Sequence, residues 1–176
     1  MGPIPDDLLS PERRTSTEIV DRAGHPLYEA LSADGTRSRA LSADDLPPAL
    51  VAATLAAEDR RFHSHPGIDP LALVRAVSHN LRAGRFVEGG STITQQAVKQ
   101  LIARPRTARG KLREMLLALR VEHRLTKDEI LALYLNVAPY GNQIVGAEAA
   151  SRAYFGCSAH DLTHAQAAFL AGLPQR

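Results

Sequence analysis

Tryptophan is absent from this 176-residue chain, and phenylalanine and tyrosine together make up only 5% of it. That scarcity argues against single-stranded nucleic-acid binding, where stacking aromatics are interleaved with basic side chains. Cys157 is the lone cysteine, which excludes an internal disulfide and leaves the redox compartment open. Long apolar runs are missing as well. The longest largely apolar stretch, Pro47 to Ala57, falls well short of the ~20 residues that cross a bilayer. Met1–Ser10 has neither a basic start nor an apolar core, so no signal peptide is expected and the chain reads as a soluble piece.

What the chain has is one domain's worth of residues and a division of charge. Residues 60–127 hold 14 basic and 4 acidic side chains, a net of +10. Residues 1–59 hold 5 and 11, a net of −6. A basic middle of that size points to a phosphorylated or polyanionic partner.

The pattern is mainly helical with a small β appendage at the N-terminus. Residues 1–15, rich in proline and charge, read as a flexible arm. Thr17–Asp21 and Pro26–Leu31 flank Ala23-Gly24-His25 as a hairpin, and Thr36–Leu41 is a candidate third strand. Pro47-Pro48 opens a helix over Ala49–Asp59, and Asp69-Pro70 opens a second, with Leu71, Val74, Val77 and Leu81 at helical spacing until Gly84. A third helix runs to about Ile102. Within Arg106–Leu125, Ala108, Leu112, Met115, Leu116 and Leu119 fall on one face, beside a stripe of Arg106, Arg109, Arg113, Arg120 and Arg124. That arginine stripe is either a solvated face or a phosphate-facing surface. Capping-box spacings at Thr126/Glu129 and Thr163/Gln166 start helices over Lys127–Asn136 and Ala165–Leu173, and Ala147–Phe155 ends at Gly156.

The stretch Glu88 to Gln100 draws these elements together. Gly89-Gly90 frees the backbone, Ser91 and Thr92 offer caps, and Thr92 with Gln95 makes another capping box. An exposed helix N-terminus there would suit an anion, with Lys99 adding a full charge two turns on. Glu58 and Asp59 form a carboxylate pair where an apolar helix gives way to a loop, a setting that suits a general base. The alternative is that they only pair with Arg60, Arg61 or helix ends. His63 and His65 lack a third convincing ligand, so no metal site is assigned, and His65 is expected to bond the loop or orient Asp59. Glu114, three residues from Lys111, is a second candidate carboxylate. Two carboxylates beside a basic pocket imply chemistry on a sugar that carries a phosphate leaving group.

Five ordered motifs give the chain a resemblance. These are Glu58-Asp-x-x-Phe62-x-x-His65-x-Gly67-Ile-Asp69, Gly89-Gly-Ser-Thr-Ile-Thr-Gln-Gln96 with Lys99, and Lys111-x-x-Glu114. Asp128-Glu-Ile-Leu-x-x-Tyr-Leu-Asn136 follows, and Ala153-Tyr-Phe-Gly156 through Ala171-Gly-Leu-Pro-Gln175 is the last. Over residues 16–176 the chain resembles the peptidoglycan glycosyltransferase domains (family 51) of class A penicillin-binding proteins and monofunctional transglycosylases. Ala138-Pro-Tyr-Gly-Asn and Val145-Gly-Ala-Glu-Ala-Ala-Ser-Arg152 are most similar to the 1C branch.

The resemblance implies a lysozyme-like, two-lobed helical fold whose small lobe dips into the membrane surface, on the extracytoplasmic (periplasmic) face of a bacterial inner membrane. It implies polymerisation of lipid II onto a growing glycan strand, with cell-wall synthesis proteins as further partners and no nucleic acid. Glu58 would deprotonate the acceptor's 4-hydroxyl. Lys99, Lys111 and Arg109 would hold the pyrophosphate, with Glu114 positioning it or a divalent cation such as Mg2+. Asp59, Phe62, His65, Ser91, Thr92, Gln96 and Asn136 would shape the cleft, although packing explains Phe62 as well. Gly110 stands where the family's third motif usually has the arginine of an Arg-Lys pair, with Arg109 displaced by one. The family's upstream anchor is missing, the chain ends where relatives continue, and no Ser-x-x-Lys of a transpeptidase occurs. Two other readings compete: lysozyme-like cleavage of finished glycan, and an inactive binding module of a wall-synthesis complex.

Overall fold

The structure, a computed structural model, describes residues 15–32, 35–36, 38–85, 89–102 and 107–174. It is mainly helical with a two-stranded sheet at the N-terminus, consistent with a lysozyme-like fold. Except for Thr15, the expected N-terminal arm lies outside the described residues, as do Glu88, Arg106 and Gln175.

Strands β1 (Thr17–Val20) and β2 (Pro26–Ala30) pair antiparallel, with an irregularity between Ile19 and Val20. Asp21 closes the hairpin by accepting from the N–H groups of Ala23 and His25 through Oδ1. Both strands expose apolar side chains, Ile19, Val20, Leu27 and Tyr28 among them, so the hairpin stands outside the core. Among the described residues the expected third strand does not form. Residues 38–41 run as irregular chain, tied by Ser16 N–H to the Ser38 carbonyl and by Asn136 to both backbone groups of Leu41.

The helices begin where the caps stand. Helix α1 (Pro48–Glu58) starts on a proline at its first position, and α2 (Pro70–Ala83) is capped by Asp69, which accepts from the N–H groups of Leu71 and Ala72. Gly84 ends α2 in the left-handed conformation, the position where glycine has no side-chain clash. Helices α3 (Ile93–Leu101), α5 (Lys127–Val137) and α7 (His164–Gly172) each open on a complete capping box, at Thr92, Thr126 and Thr163. Helix α4 spans Ala108–Glu122 and α6 spans Ala147–Phe155.

Helix α5 is the centre of the core, with every residue from Ile130 to Val137 buried. It packs on α3 and α4, while α1 packs along α7. Two periodic stripes turn out to face away from this core. On α2, Leu71, Val74, Val77 and Leu81 are all exposed, and Ala76 is the helix's buried residue. On α4, the face carrying Leu112, Leu116 and Leu119 is exposed, and the buried face is Gly110, Glu114, Leu117, Ala118 and Val121. Glu114 can belong to a buried face because Lys111, one turn back, supplies its counter-charge.

Candidate active site

Helix α1 ends at Glu58, and the chain then turns through a short 3-10 segment at Phe62–Ser64 toward α2. The turn brings Glu58 and Asp59 against the start of α3, where the two carboxylates do different work. Glu58 Oε2 accepts a hydrogen bond of 2.6 Å from the Gln96 side-chain amide. Asp59, almost fully buried, accepts from His65 Nε2 at 3.0 Å and from the Ile93 backbone N–H at 3.2 Å. Neither hydrogen bond is to Arg60 or Arg61: Arg60 donates to the Ala56 carbonyl, and Arg61 lies 3.7 Å from Asp69.

The α3 N-terminus is therefore already capped. Asp59 takes the Ile93 N–H, Thr92 takes the Gln95 N–H, and the Thr92 hydroxyl donates to the Gly67 carbonyl. Thr92, Ile93, Thr94 and Gln95 are all buried. The expected open anion site at this helix end is thus overturned, because an internal carboxylate occupies the favourable end of the dipole. Gly90 packs closely on α2 at this turn: a Cβ there would lie 3.0 Å from Leu73 Cα.

His65 is fixed from both sides. The Gly67 N–H donates to His65 Nδ1 at 3.2 Å, so Nδ1 is an acceptor and the ring proton of the neutral imidazole sits on Nε2, facing Asp59. Lys127, which the motif reading did not single out, anchors the same loop. Its ammonium donates to the His65 carbonyl, pairs with Glu122 and sits 4.3 Å above the Phe62 ring. Phe62 itself is wholly buried. Asp69 completes the cluster. Burial alone would raise its pKa, but the N–H groups of Ala72 and Leu71, with Arg61 and His65 nearby, outweigh that and hold it below the ordinary aspartate value.

The carboxylate and imidazole atoms of Asp59, His65 and Asp69 lie within 4.8 Å of one another, close enough to suggest a cation site. The chemistry of the donors does not fit one. His65 presents a proton to Asp59, the ring's other nitrogen is occupied by Gly67, and Asp69 is spent on two backbone N–H groups. Glu114 fits no better. Its buried carboxylate is ion-paired to Lys111, whose ammonium would stand against any incoming cation.

A cleft of about 740 Å³ opens along these elements, lined among others by Glu58, Arg61, Arg75, Ser91 and Gln96. Lys111 reaches its edge by donating to Ser91 Oγ at 2.9 Å while it holds Glu114. Glu58, Gln96, Ser91 and Lys111 are thereby joined around one opening. Lys99 and Arg109 are exposed, the first one turn beyond Gln96 on α3, the second at the start of α4. Asn136 is buried, and its amide bonds both backbone groups of Leu41, at 2.7 and 2.9 Å, rather than lining the cleft. Arg75 and His79, one turn apart on α2, line the cleft and were not predicted from sequence. The signal for them was their i,i+4 spacing, hidden among the apolar residues of α2.

A family model described as Transglycosylase matches residues 24–176. The chain is 40% identical to Penicillin-binding protein 1C of Escherichia coli over 99% of its own length, and covers 22% of that protein. It is 43% identical to Penicillin-binding protein 1A of Aquifex aeolicus over 98% of its length, covering 24% of that protein. The Biosynthetic peptidoglycan transglycosylase of Nitrosospira multiformis is 42% identical over 90% of the chain, which covers 70% of that protein. The chain thus spans less than a quarter of the two penicillin-binding proteins and somewhat over two thirds of the third relative.

Proposed function

The chain belongs to the transglycosylase family, and from that premise we propose that it is a peptidoglycan glycosyltransferase that polymerises lipid II into glycan strands. The single observation that carries this reading is the joining of Glu58 and Lys111 around one cleft through Gln96 and Ser91. A sugar-to-diphosphate bond needs a base at one end and cations at the other, and this opening supplies both.

In the proposed reaction Glu58 takes the proton from the 4-hydroxyl of the acceptor sugar. That oxygen bonds to the anomeric carbon of the donor from the opposite face, inverting it, as the bond from that carbon to the pyrophosphate oxygen breaks. Undecaprenyl pyrophosphate leaves with the electron pair. Lys111 meets the charge developing on it, and Lys99 and Arg109 extend the cationic rim. Gln96 holds the Glu58 carboxylate in place by its 2.6 Å bond. Glu114 acts through Lys111, keeping the ammonium at Ser91. A divalent cation such as Mg2+ belongs to this proposal only as a companion of the substrate's pyrophosphate.

The exposed apolar faces support a membrane surface as the place of work. Leu71, Val74, Val77 and Leu81 on α2 and Leu112, Leu116 and Leu119 on α4 are between 38% and 77% exposed, and basic side chains share both helices. Such faces suit the boundary of a bilayer with the lipid tail of the substrate beside them. No helix among the described residues is long and apolar enough to cross a membrane. The reading puts the domain on the extracytoplasmic face of the inner membrane, beside other cell-wall synthesis proteins.

Incubation with fluorescent lipid II and Mg2+, followed by sizing of the glycan on a gel, tests the proposal. Long polymer is expected from the native chain and none from Glu58→Gln, with lipid II binding kept within a few fold. Release of short fragments from purified wall would favour the lytic reading instead. Binding of lipid II with no product from the native chain would make it a binding module.

A further inference from the structure

Glu58 has a second oxygen that the reaction above does not use. Oε2 carries the Gln96 bond, whereas Oε1 is turned inward, out of contact with solvent and without a hydrogen-bond partner among the described residues. Thr54 Oγ1 and the Tyr134 hydroxyl are also buried without a hydrogen-bond partner among the described residues. Thr54 is 1% and Tyr134 2% exposed. Thr54 stands one turn before Glu58 on α1, so the two side chains lie on the same face of the helix, with Cβ atoms about 6 Å apart. That face, continued by buried Leu50, is turned to the core. Tyr134 comes from α5, whose whole length from Ile130 is interior. Burial first, and then the Glu58 carboxylate, push the Tyr134 phenol far above its ordinary value.

Buried polar atoms without protein partners are commonly served by an internal water, which needs two to four of them. We propose that Tyr134 and Thr54 are positioning residues for Glu58, joined to its inner oxygen through one buried water behind the cleft. The water donates to Glu58 Oε1 and accepts from the Tyr134 hydroxyl, and Thr54 fills its remaining valence. Glu58 is then held at both oxygens, by Gln96 in front and by this pocket behind. The carboxylate plane is fixed while the cleft-side lone pair of Oε2 stays available for the acceptor's proton. Hydrogen bonds that end on the carboxylate favour its ionised form, the form a base requires. The other titratable groups around Glu58 are Tyr140, interior and on the loop after α5, and Asp59, Arg60, Arg61, Asp69, Arg75 and His79, which line the cleft with it.

The role as a base rests on the function proposed above, but the pocket does not, and the test separates them. Two measurements need no lipid II. A high-resolution crystal structure of the full chain should show one water within hydrogen-bond reach of Glu58 Oε1 and the Tyr134 hydroxyl. The titration of Glu58, followed by 13C NMR of labelled glutamate and assigned with Glu58→Gln, should move up by about one pH unit in Tyr134→Phe. Thr54→Val should move it the same way by less, and Thr54→Ser, which keeps the hydroxyl, should leave it in place. In polymerisation assays the acid limb of kcat/KM should follow the titration in Tyr134→Phe while KM changes little. A dry pocket in the crystal structure, or a Glu58 titration unmoved by both Tyr134→Phe and Thr54→Val, overturns the proposal. Should Tyr134→Phe fail to fold, the Thr54 pair carries the same readout. A native chain that makes no polymer refutes the proposed function and leaves the titration to decide the pocket.

Discussion

Replacing Asp59 by alanine should loosen this domain more than any change to Glu58, the proposed base beside it. The Asp59 carboxylate is 5% exposed and accepts from two donors that belong to different elements, His65 Nε2 on the loop and Ile93 N–H at the start of α3. Each hydrogen bond to a charged group is worth about 1.5–3 kcal/mol. Losing both, with the donors left buried, should cost about 3–5 kcal/mol, the range for breaking a buried pair from one side. In a domain of this size one kcal/mol moves the melting point by about 2–4 °C, so Asp59→Ala should melt about 10 °C below the native chain. Asp59→Asn keeps one carbonyl oxygen as an acceptor but turns an N–H toward the other donor, and should fall roughly halfway. Thermal unfolding followed by circular dichroism at pH 7 measures this directly, and urea midpoints check it without heating. An Asp59→Ala chain that melts within about 2 °C of the native one would refute the reasoning, because the junction of α1, the His65 loop and α3 would then not depend on this carboxylate.

Three further outcomes follow from the same contacts. Asn136→Ala should cost about 2–4 kcal/mol by leaving the buried N–H and carbonyl of Leu41 unpaired, while KM for lipid II stays unchanged at a temperature where the variant is folded; a raised KM in a stable variant would return Asn136 to the cleft. Gly67 has φ +86°, and a Cβ would meet Glu122 Cγ at 2.7 Å and the Ala118 carbonyl at 3.2 Å, so Gly67→Ala should cost about 2 kcal/mol or more by urea unfolding. Asp69 releases its proton more readily folded than unfolded. Its contribution is therefore complete above the ordinary aspartate value of 3.8 and drains away as pH falls through its lowered value. The stability gap between the native chain and Asp69→Asn, read from urea midpoints, should accordingly shrink between pH 5 and pH 2.5, and a constant gap would show that the charge is not what matters.

By itself the sequence determined whatever depends on neighbours in the chain. Helix starts at Thr92, Thr126 and Thr163 were legible because a capping box closes over four consecutive residues, and all three boxes form. The stop at Gly84 and the hairpin around Gly24 were legible for the same local reason. The His65–Asp59 pairing could be read from a six-residue interval. Sidedness could not be. The apolar stripes of α2 and α4 were visible as periodicity, but a period marks a face without saying whether protein, solvent or lipid covers it. Only the tertiary structure turned Glu114 inward on Lys111, gave Asn136 to Leu41 across 95 residues, and filled the α3 N-terminus with Asp59 rather than a substrate's phosphate. Each of those outcomes is a competition for one donor or one charge among groups distant in sequence, and proximity in the folded chain decides it.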